Sequence, residues 1–370
     1  MFSADDHRYM SLALRLAGQG LYTTDPNPRV GCVIVDDGGI VGQGWHCAAG
    51  EAHAEVHALR LAGEKAKGAT AYVTLEPCSH QGRTPPCADA LIAAGIARVI
   101  VAMQDPNPMV AGQGLERLTT AGIDVAVGLM QQQAEMLNPG FISRYSRGRP
   151  YVRCKLAMSL DGRTAMASGE SKWITSEDSR VDVQRLRARS SVIITGIGTV
   201  LADDPRMNAR VDVDVKQPDR VVLDTNLRMP ADAAMLLQEG LTWLANDSQD
   251  QSLRSDLEQA GARLLDVATH NGHINLSGVL NSLQDLDYNE VLVEAGPSLS
   301  GAFMQAGLID ELIVYMAPHL MGHGGNALLH LPDIEAMQDR IALQMTELKQ
   351  VGDDLRLNYK LAVQTGAQTG

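Results

Sequence analysis

Two cysteines, one histidine and one glutamate form the clearest chemical pattern in the chain. The tripeptide His53-Ala54-Glu55 is followed by Cys78, which comes after a proline, and then by Cys87. One imidazole and two thiolates form a tetrahedral donor set for zinc, and three protein ligands leave the fourth position for water. Zinc lowers the pKa of such a water to about 7. The pattern therefore predicts a hydrolytic zinc site with His53, Cys78 and Cys87 as ligands.

A hydrolytic site of this kind also needs a group that moves protons, and Glu55 is the candidate. Residues two apart lie on opposite sides of a regular helix, so His53 and Glu55 converge on one metal only where a helix begins. The preceding residues Ala48-Ala49-Gly50 favour a helix that starts at this point. We expect Glu55 to act as general acid and base beside the metal.

The spacing of the two cysteines departs from a known pattern. Zinc deaminases combine H-x-E with P-C-x-x-C, and the sequence resembles that superfamily. Here eight residues, 79–86, separate Cys78 from Cys87. A loop of that length still allows the second cysteine to return to the metal, so the same three ligands are expected.

Longer motifs carry a more specific resemblance. The string CSHQGRTPPC at 78–87, together with Asn27-Pro28 before a predicted strand, is similar to the bifunctional riboflavin-biosynthesis deaminase/reductase family. The similarity continues through KLAMSLDGR at 155–163, TVLADDP at 199–205 and VEAGP at 293–297. The resemblance implies an α/β protein. An N-terminal cytidine-deaminase-like three-layer αβα domain, 1–147, would be fused to a C-terminal dihydrofolate-reductase-like α/β domain, 148–370.

The resemblance also implies two reactions on a phosphorylated aminopyrimidine. Hydrolysis at zinc would remove the exocyclic amine of 2,5-diamino-6-(5-phosphoribosylamino)pyrimidin-4(3H)-one. NADPH would then reduce the ribose of the product to a ribityl chain. One Zn²⁺ per chain and NADPH are the expected cofactors.

Four other polar residues of the first half have two interpretations each. Asn27 and His46 either contact the substrate or cap turns. Arg83, between the two cysteines, either meets the substrate phosphate or is a solvated loop residue. His80 would be a fourth ligand if the zinc were purely structural.

Two glycine-rich turns of the second half are suited to phosphate groups. The segments 296–301 and 196–199 each follow a predicted strand and open a predicted helix, whose free N–H groups and dipole favour anions. No G-x-G-x-x-G follows the first strand of this half, which disfavours a Rossmann dinucleotide fold. Each turn is a weak signal alone, and the resemblance gives it weight.

The resemblance assigns further residues of this half by motif. Positions similar to cofactor contacts are Ala157, Trp173, Thr199, Asp203, Thr225, Gly296, Pro297, Ser298, Leu299, Ser300, Gly301 and Ala302. Positions similar to substrate contacts are Ser171, Arg187, Met207, Arg210 and Glu294. Arg187 and Arg210 suit a ribose phosphate, and Glu294 suits a hydroxyl or amino group. The sequence shows no evident general acid for the reduction.

Alternating strands and helices must position these residues. For the first half, the periodicity predicts helices at 5–18, 52–61 and 88–94, with strands at 30–35, 40–45, 70–75 and 98–102. The stretch 138–150, rich in Pro, Gly and Arg, predicts a linker or a boundary between domains. For the second half, the periodicity predicts strands at 151–157, 191–195, 221–224, 241–245, 290–294, 312–317 and 355–361. A helix at 176–189 would begin with a capping box of Thr175 and Asp178.

Composition excludes several classes of protein. The 370 residues are 45% apolar and 20% charged, which suits two globular domains and not a disordered chain. A net charge of −13 and only 4% aromatic residues disfavour nucleic acid as a partner. There is no apolar run long enough to span a membrane, the N-terminus is acidic, and the five cysteines are odd in number. We expect a cytoplasmic homo-oligomer that acts on a small molecule, with no membrane or nucleic-acid partner.

Two other interpretations stay open at this level. The chain would be a nucleic-acid base deaminase with a C-terminal binding module, although the acidic charge of both halves argues against it. Alternatively, one half would be catalytic and the other an assembly module. Binding to single-stranded oligonucleotides and separate assays of each half distinguish these possibilities.

Overall fold

The computed structural model describes residues 1–79 and 85–362, and the chain divides into two units, Met1–Arg149 and Pro150–Gly370. The division lies close to the domain boundary expected after residue 147. That each unit folds independently stays a prediction. Among the described residues, none of the helices combines the length and the apolarity needed to cross a membrane.

The first unit is a five-stranded sheet between two layers of helices. Its strands are β1 (Gly31–Asp36), β2 (Gly39–Trp45), β3 (Thr70–Val73), β4 (Arg98–Val101) and β5 (Asp124–Val127). Its helices are α1 (Ala4–Ala17), α2 (Ala54–Ala62), α3 (Cys87–Ala93), α4 (Gln113–Thr120), α5 (Gln131–Leu137) and α6 (Pro139–Arg147). The strand order is β2-β1-β3-β4-β5. Side chains alternate along β1, so Cys32 and Ile34 pack on the α2 side while Val33 and Val35 pack on the α1 side.

The stretch 138–150 is not the linker that the sequence predicts, because Pro139–Arg147 is helix α6. Pro139 stands in the first turn, where its missing N–H costs nothing, and Gly148 ends the helix in the left-handed region with φ 65°. Phe141 and Ile142 pack against the core of the first unit. The proline and glycine that indicated a linker are the start and stop of a helix.

The second unit is built on a nine-stranded sheet. Its strands are β6 (Tyr151–Ser159), β7 (Arg163–Ala165), β8 (Val192–Gly196), β9 (Asp219–Leu223), β10 (Thr242–Asn246), β11 (Arg263–Asp266), β12 (Thr269–His270), β13 (His273–Ile274), β14 (Glu290–Val293), β15 (Glu311–Ala317), β16 (Asn326–Ala327), β17 (Leu343–Val351) and β18 (Asp354–Leu361). Its helices are α7 (Glu177–Ala188), α8 (Ile197–Asp203), α9 (Gln251–Gln259), α10 (Leu276–Asp285) and α11 (Pro297–Gln305). The order in the large sheet is β11-β10-β9-β8-β14-β6-β15-β18-β17, and β7 pairs with β16 and β12 with β13 in two small sheets.

The course of the chain through the large sheet creates a reversal point near its centre. From β8 the chain steps outward through β9, β10 and β11, and then returns to insert β14 between β8 and β6. All of these strands run parallel, so their carboxyl ends meet at one edge. In open α/β sheets, ligands bind outside the carboxyl ends of strands where the order reverses.

The start of α7 differs by one residue from the sequence-based expectation. Its N-cap is Ser176, not Thr175, and the Ser176 hydroxyl accepts a hydrogen bond from the Ser179 N–H at 3.3 Å. Asp354 of β18 accepts hydrogen bonds from the Ser176 N–H and hydroxyl, both at 2.8 Å. A contact distant in sequence thus decides where the helix begins, and the local pattern does not contain it.

Strand β17 was not among the predicted elements. Buried and exposed residues do not alternate along this strand, because all of its residues except Val351 are exposed. It pairs with β18 along one side and forms the end of the large sheet.

Candidate active sites

The three predicted zinc ligands meet at one point of the first unit. His53 is the N-cap of α2, Cys87 is the first residue of α3, and Cys78 follows β3. The Nδ1 atom of His53 lies 3.2 Å from Cys87 Sγ and 3.6 Å from Cys78 Sγ. The three ligand atoms lie within 4.8 Å of one another. The sequence-based expectation that His53 stands at a helix start therefore agrees with the structure.

The donor set fits zinc in its chemistry as well as in its spacing. A hydrogen bond from the Cys87 thiol holds the pKa of Cys78 well below its usual range, against the effect of burial, and the contact with His53 contributes to this lowering. The proton that Cys87 shares with Cys78, together with burial, raises the pKa of Cys87. The backbone N–H of Cys87 also points to Cys78 Sγ at 3.3 Å. The surroundings therefore favour the thiolate form of Cys78. A bound zinc ion would favour the thiolate form of both cysteines.

Glu55 is buried beside this cluster, with 3% of its surface exposed. Burial, with the nearby charge of Cys78, raises the pKa of Glu55 to about 7. The Cys87 thiol is within hydrogen-bonding contact of the same carboxyl group. A carboxyl group with a pKa near neutrality both accepts and releases protons at pH 7, which is the property a general acid and base requires.

Asn27 and His46 form a hydrogen-bonded pair that continues towards His53. His46 is buried, and its burial lowers its pKa, so the ring is neutral at pH 7. Its Nδ1 lies 3.2 Å from the Ala52 carbonyl oxygen, which requires the ring proton to be on Nδ1. Nε2 therefore accepts from the Asn27 amide at 3.0 Å, and the His46 and His53 rings meet edge to face at 5.3 Å. Arg83 and His80 lie outside the described residues.

The residues similar to cofactor contacts collect at the carboxyl edge of the large sheet. Thr199 lies in α8, which follows β8; Thr225 follows β9; and Ala157 lies near the end of β6. Gly196 and Gly296 are the N-caps of helices α8 and α11, and neither provides a side-chain hydrogen bond. The N–H groups of the first turns, apart from Pro297, which has none, would be available to a ligand, and the helix dipoles favour an anion there.

One buried polar atom supports a ligand at this edge. The hydroxyl of Thr195, the residue before Gly196, is buried and has no hydrogen-bond partner among the described residues. A buried hydroxyl without a partner is costly. Together with the two helix starts, it makes this edge suitable for the phosphates and sugars of NADPH.

The run from Gly296 to Ala302 divides into exposed and buried positions. Gly296 and Ser298 are exposed, whereas Ser300 and Gly301 are buried. The Ser300 hydroxyl donates to the Ala295 carbonyl at 3.3 Å, and a Cβ at Gly301 would lie 2.1 Å from the His330 carbonyl oxygen. Ser300 and Gly301 thus turn into the protein, and Gly301 allows α11 to approach the backbone at His330.

The residues similar to substrate contacts form an ionic cluster. Arg187 binds Glu294 with two hydrogen bonds, and Lys155 Nζ lies 3.8 Å from Glu294 Oε2. Met207 is buried, with its sulfur 3.8 Å from Arg187 Nη2. Arg210 is exposed and donates to Asn208 Oδ1 at 2.8 Å. Partial desolvation lowers the pKa of Arg210, and the charges of Arg187 and Arg206 add to this effect.

A second group of expected contacts lies around Trp173. Its ring is 69% exposed and is covered on one face by the Arg180 guanidinium, 4.7 Å from the ring centroid. Asp203 pairs with Lys172 at 2.7 Å, and Ser171 is exposed. Ser171, Lys172 and Trp173 line a cavity of about 180 Å³ together with His319 and Met321.

Sequence reasoning missed Lys155, although it stands inside the KLAMSLDGR motif. The residue interrupts a buried strand, with Cys154 and Leu156 buried on either side of it. A lysine in the middle of an apolar strand is a recognisable signal, because a charge is placed there only with a partner. That partner, Glu294, is far away in sequence.

Two family models match the chain, one within each of the units Met1–Arg149 and Pro150–Gly370. Residues 3–103 match the cytidine and deoxycytidylate deaminase zinc-binding region, and residues 150–357 match the RibD C-terminal domain. The chain is 53% identical to the riboflavin biosynthesis protein RibD of Escherichia coli over 95% of this chain and 98% of that protein. The chain therefore belongs to the RibD family. The corresponding protein of Haemophilus influenzae is 48% identical over 97% and 98% of the two chains.

Solved structures of RibD proteins have the same fold. A structure of Acinetobacter baumannii RibD superposes with a TM-score of 0.91 at 46% identity, and covers 97% of this chain and 99% of that chain. A deaminase/reductase from Thermotoga maritima gives a TM-score of 0.86 at 30% identity over 97% and 99% of the two chains. The predicted fold class is confirmed. As a RibD-family member, the chain is a bifunctional enzyme of riboflavin biosynthesis, with a zinc-dependent deaminase and an NADPH-dependent reductase.

Proposed function

We propose that this enzyme deaminates a diaminohydroxyphosphoribosylaminopyrimidine and then reduces the resulting 5-amino-6-(5-phosphoribosylamino)uracil. The Thermotoga maritima relative bears both of these activities in its name. The observation that carries the proposal is the convergence of His53, Cys78 and Cys87 on one point beside the buried Glu55. That combination suits hydrolytic removal of an amine, in which water is consumed and ammonia leaves.

In the deaminase, we propose His53, Cys78 and Cys87 as zinc ligands and Glu55 as the proton-transferring residue. Bound zinc supplies a water of lowered pKa. Glu55, which is buried beside the three ligands, would take a proton from the attacking water and pass a proton to the departing nitrogen.

Asn27, His46 and Arg83 are the proposed substrate contacts of the deaminase. The His46 ring holds the nitrogen of the Asn27 amide, which directs the amide oxygen away from His46 as an acceptor for a ring N–H of the substrate. Arg83 lies in the loop between the two cysteines and is proposed to meet the phosphate. A neutral His46 is suited to holding Asn27, because a protonated ring would have no acceptor atom for it.

In the reductase, we propose the carboxyl edge of the large sheet as the NADPH site, with contacts from Ala157, Trp173, Thr199, Asp203, Thr225 and the segment 296–302. NADPH supplies the hydride when bound. Ser171, Met207 and the ion-paired Arg187 and Glu294 are proposed to contact the substrate, and the exposed Arg210 to bind its phosphate. We assign to Lys155 the proton that accompanies the hydride, since it is the proton-bearing side chain beside Glu294.

Three broader properties belong to the same proposal. Two separately folding domains, 1–147 and 148–370, would each carry one activity. A homo-oligomer is supported by β17, an edge strand of nine residues that exposes Leu343, Met345 and Leu348. A cytoplasmic location is supported by the five cysteines, all of which are free thiols. Neither nucleic acid nor membrane is proposed as a partner.

The test combines metal analysis with two separate assays. Purified protein is expected to hold one zinc per chain, to release ammonia from the aminopyrimidine, and to oxidise NADPH only with the deaminated product. Ammonia release by protein freed of metal would contradict the zinc assignment. Equal rates with an aminopyrimidine that lacks the phosphoribosyl group would contradict the substrate assignment.

A further inference from the structure

Glu76 lies two residues before the ligand Cys78 and is buried, with 4% of its surface exposed. Its carboxylate accepts four backbone hydrogen bonds. The donors are the N–H groups of Asp105 at 3.1 Å, Gly112 at 3.0 Å, Gly114 at 2.9 Å and Leu115 at 3.4 Å. Three of these donors belong to the N-cap and first turn of α4, where N–H groups have no acceptor within the helix. The Glu76 carboxylate therefore accepts hydrogen bonds from N–H groups at the start of α4 that would otherwise lack an acceptor.

The backbone of α4 also approaches the peptide next to Cys78. A Cβ at Gly114 would lie 2.0 Å from the Pro77 carbonyl oxygen and 3.2 Å from Glu76 Oε1. Only glycine permits this approach without a shift of one of the two segments. The segment of Glu76 and Pro77 is thus packed directly on the first turn of α4.

A third contact joins α4 to the other side of Cys78. Arg117 of α4 donates from Nη1 to the Ser79 carbonyl oxygen at 3.1 Å. Its Nε pairs with Asp89 Oδ1 at 2.6 Å, and Asp89 stands two residues after Cys87 in α3. One helix therefore contacts the residues before and after Cys78 as well as the helix that bears Cys87.

These contacts matter because Cys78 lies in neither a strand nor a helix. A zinc–thiolate bond requires the sulfur within a few tenths of an ångström of about 2.3 Å from the metal. Cys78 itself is held by the start of α3, where the Ala88 N–H donates to its carbonyl oxygen at 3.2 Å and the Cys87 N–H points to its sulfur at 3.3 Å, and the residues on either side of it contact α4. The deaminase zinc-binding match ends at residue 103, so α4, at Gln113–Thr120, is outside it.

We propose that α4 positions the Cys78 sulfur for zinc, and that Glu76 is the positioning residue that fixes this helix to the ligand segment. Glu76 does not touch the metal or the substrate in this proposal. Glu76 would affect zinc binding only by fixing the position of the Cys78 sulfur. The inference rests on Cys78 being a zinc ligand, and its test separates the two statements.

The test is Glu76→Gln, with Glu116→Gln as the matched control. Glu116 is an exposed residue of the same helix, so both variants lose one negative charge beside or on α4. An amide cannot accept all four hydrogen bonds, since its NH₂ group faces donors. Glu76→Gln is expected to bind zinc about 10–100-fold more weakly in competition with a chelator, as outer-shell substitutions do. Glu116→Gln is expected to keep the wild-type affinity.

A second readout separates positioning from mere stabilisation of the fold. Cobalt(II) bound in place of zinc absorbs through its thiolate ligands, so a displaced Cys78 alters the spectrum of the loaded protein. Glu76→Gln is expected to change this absorption, while the reductase activity of the same chain stays at the wild-type level. Wild-type zinc affinity and an unchanged cobalt spectrum would overturn the proposal, even if the melting temperature fell.

Two further variants decide the outcome if Glu76→Gln does not yield folded protein. Gly114→Ala pushes on the Pro77 carbonyl, and Arg117→Ala removes an exposed side chain together with its contacts to Ser79 and Asp89. Weaker zinc binding by Gly114→Ala, and to a smaller extent by Arg117→Ala, supports the role of α4. Unchanged affinity in both overturns it. If Cys78→Ser itself keeps zinc, the ligand assignment fails first and this result is distinct from either outcome.

Discussion

Arg187 and Glu294 form a two-point ion pair, with Nε 2.7 Å from Oε1 and Nη2 3.0 Å from Oε2. The side chains are 13% and 8% exposed, so the pair is largely removed from water. The sequence suggests a separate role for each residue, a phosphate contact for Arg187 and a hydroxyl or amino contact for Glu294. A guanidinium that already faces a carboxylate has little net charge to offer a phosphate. We therefore expect the two residues to act as one group, and Arg210 stays the proposed phosphate contact.

Arg187→Ala is expected to damage the reductase through Glu294. Removing Arg187 leaves a buried carboxylate without its two-point partner, with Lys155 at 3.8 Å and the charge of the exposed Arg210 as the remaining cations among the described residues. Breaking a buried pair costs about 3 kcal/mol of the free energy of unfolding. Reduction is expected to fall in kcat as well as in KM, and ammonia release to be unchanged. Arg185→Ala, at a side chain 60% exposed on the same helix, is the control. A rise in KM alone would make Arg187 a plain phosphate contact.

The ion pair also predicts how stability depends on pH. Burial acts to raise the pKa of Glu294, but Arg187 and Lys155 lower it from 4.5 to about 2. The carboxylate therefore stabilises the folded second unit fully above pH 4.5, and this contribution is lost as the pH falls towards 2. Its size is about 3 kcal/mol from the shift. Urea unfolding of wild type and Glu294→Gln is expected to differ most above pH 5 and to converge below pH 3. A difference that is constant with pH would exclude an electrostatic origin.

The convergence of three side chains that could hold zinc was predictable because zinc chemistry restricts the residue types. Few combinations other than His53, Cys78 and Cys87 supply one imidazole and two thiolates near a carboxylate, so the residue types alone are enough to select this set. The alternation of strands and helices was equally visible, since burial of one or both faces imposes a period on the sequence.

The remaining features depend on contacts between distant segments. The N-cap at Ser176 is fixed by Asp354, and the cluster around Glu294 is completed by Lys155 from another strand. The tautomer of His46 follows from the Ala52 carbonyl. Helix α6 differs from the prediction for another reason. Pro and Gly are typical of a linker, but here their order marks the two ends of a helix.

Cys78→Ser and Cys87→Ser are each expected to lose zinc and deamination together. A serine hydroxyl is a much weaker zinc ligand than a thiolate, and metal binding is coupled to the site's order. Cys47→Ser is the control, because Cys47 is half-buried and its thiol contacts only the Trp45 carbonyl, at 3.6 Å, among the described residues. Metal content and ammonia release are measured on the same preparations. Full zinc occupancy in both ligand variants would exclude this ligand set.

Glu55→Gln is expected to keep zinc and to stop deamination. The amide preserves the shape of the side chain but cannot carry a proton between the attacking water and the leaving nitrogen. Loss of general acid–base catalysis costs about 10²–10⁴-fold, and more where one group serves two steps. Glu64→Gln, at an exposed position just after α2, controls for the change of charge. A variant that retains half of the wild-type rate would show that another group moves the proton.

The same variant tests whether the two activities are independent. Every proposed deaminase residue lies between 27 and 87, and every proposed reductase residue lies between 155 and 302. Each set lies within one of the two units, Met1–Arg149 and Pro150–Gly370, and each unit has its own hydrophobic clusters. Glu55→Gln is therefore expected to reduce the already deaminated product at the wild-type rate, just as Arg187→Ala is expected to release ammonia normally. Both variants are supplied with each substrate separately, and ammonia and NADPH are followed. If either substitution abolished both activities in a folded protein, the sites would have to share residues or be strongly coupled, and the assignment of one activity to each unit would fail.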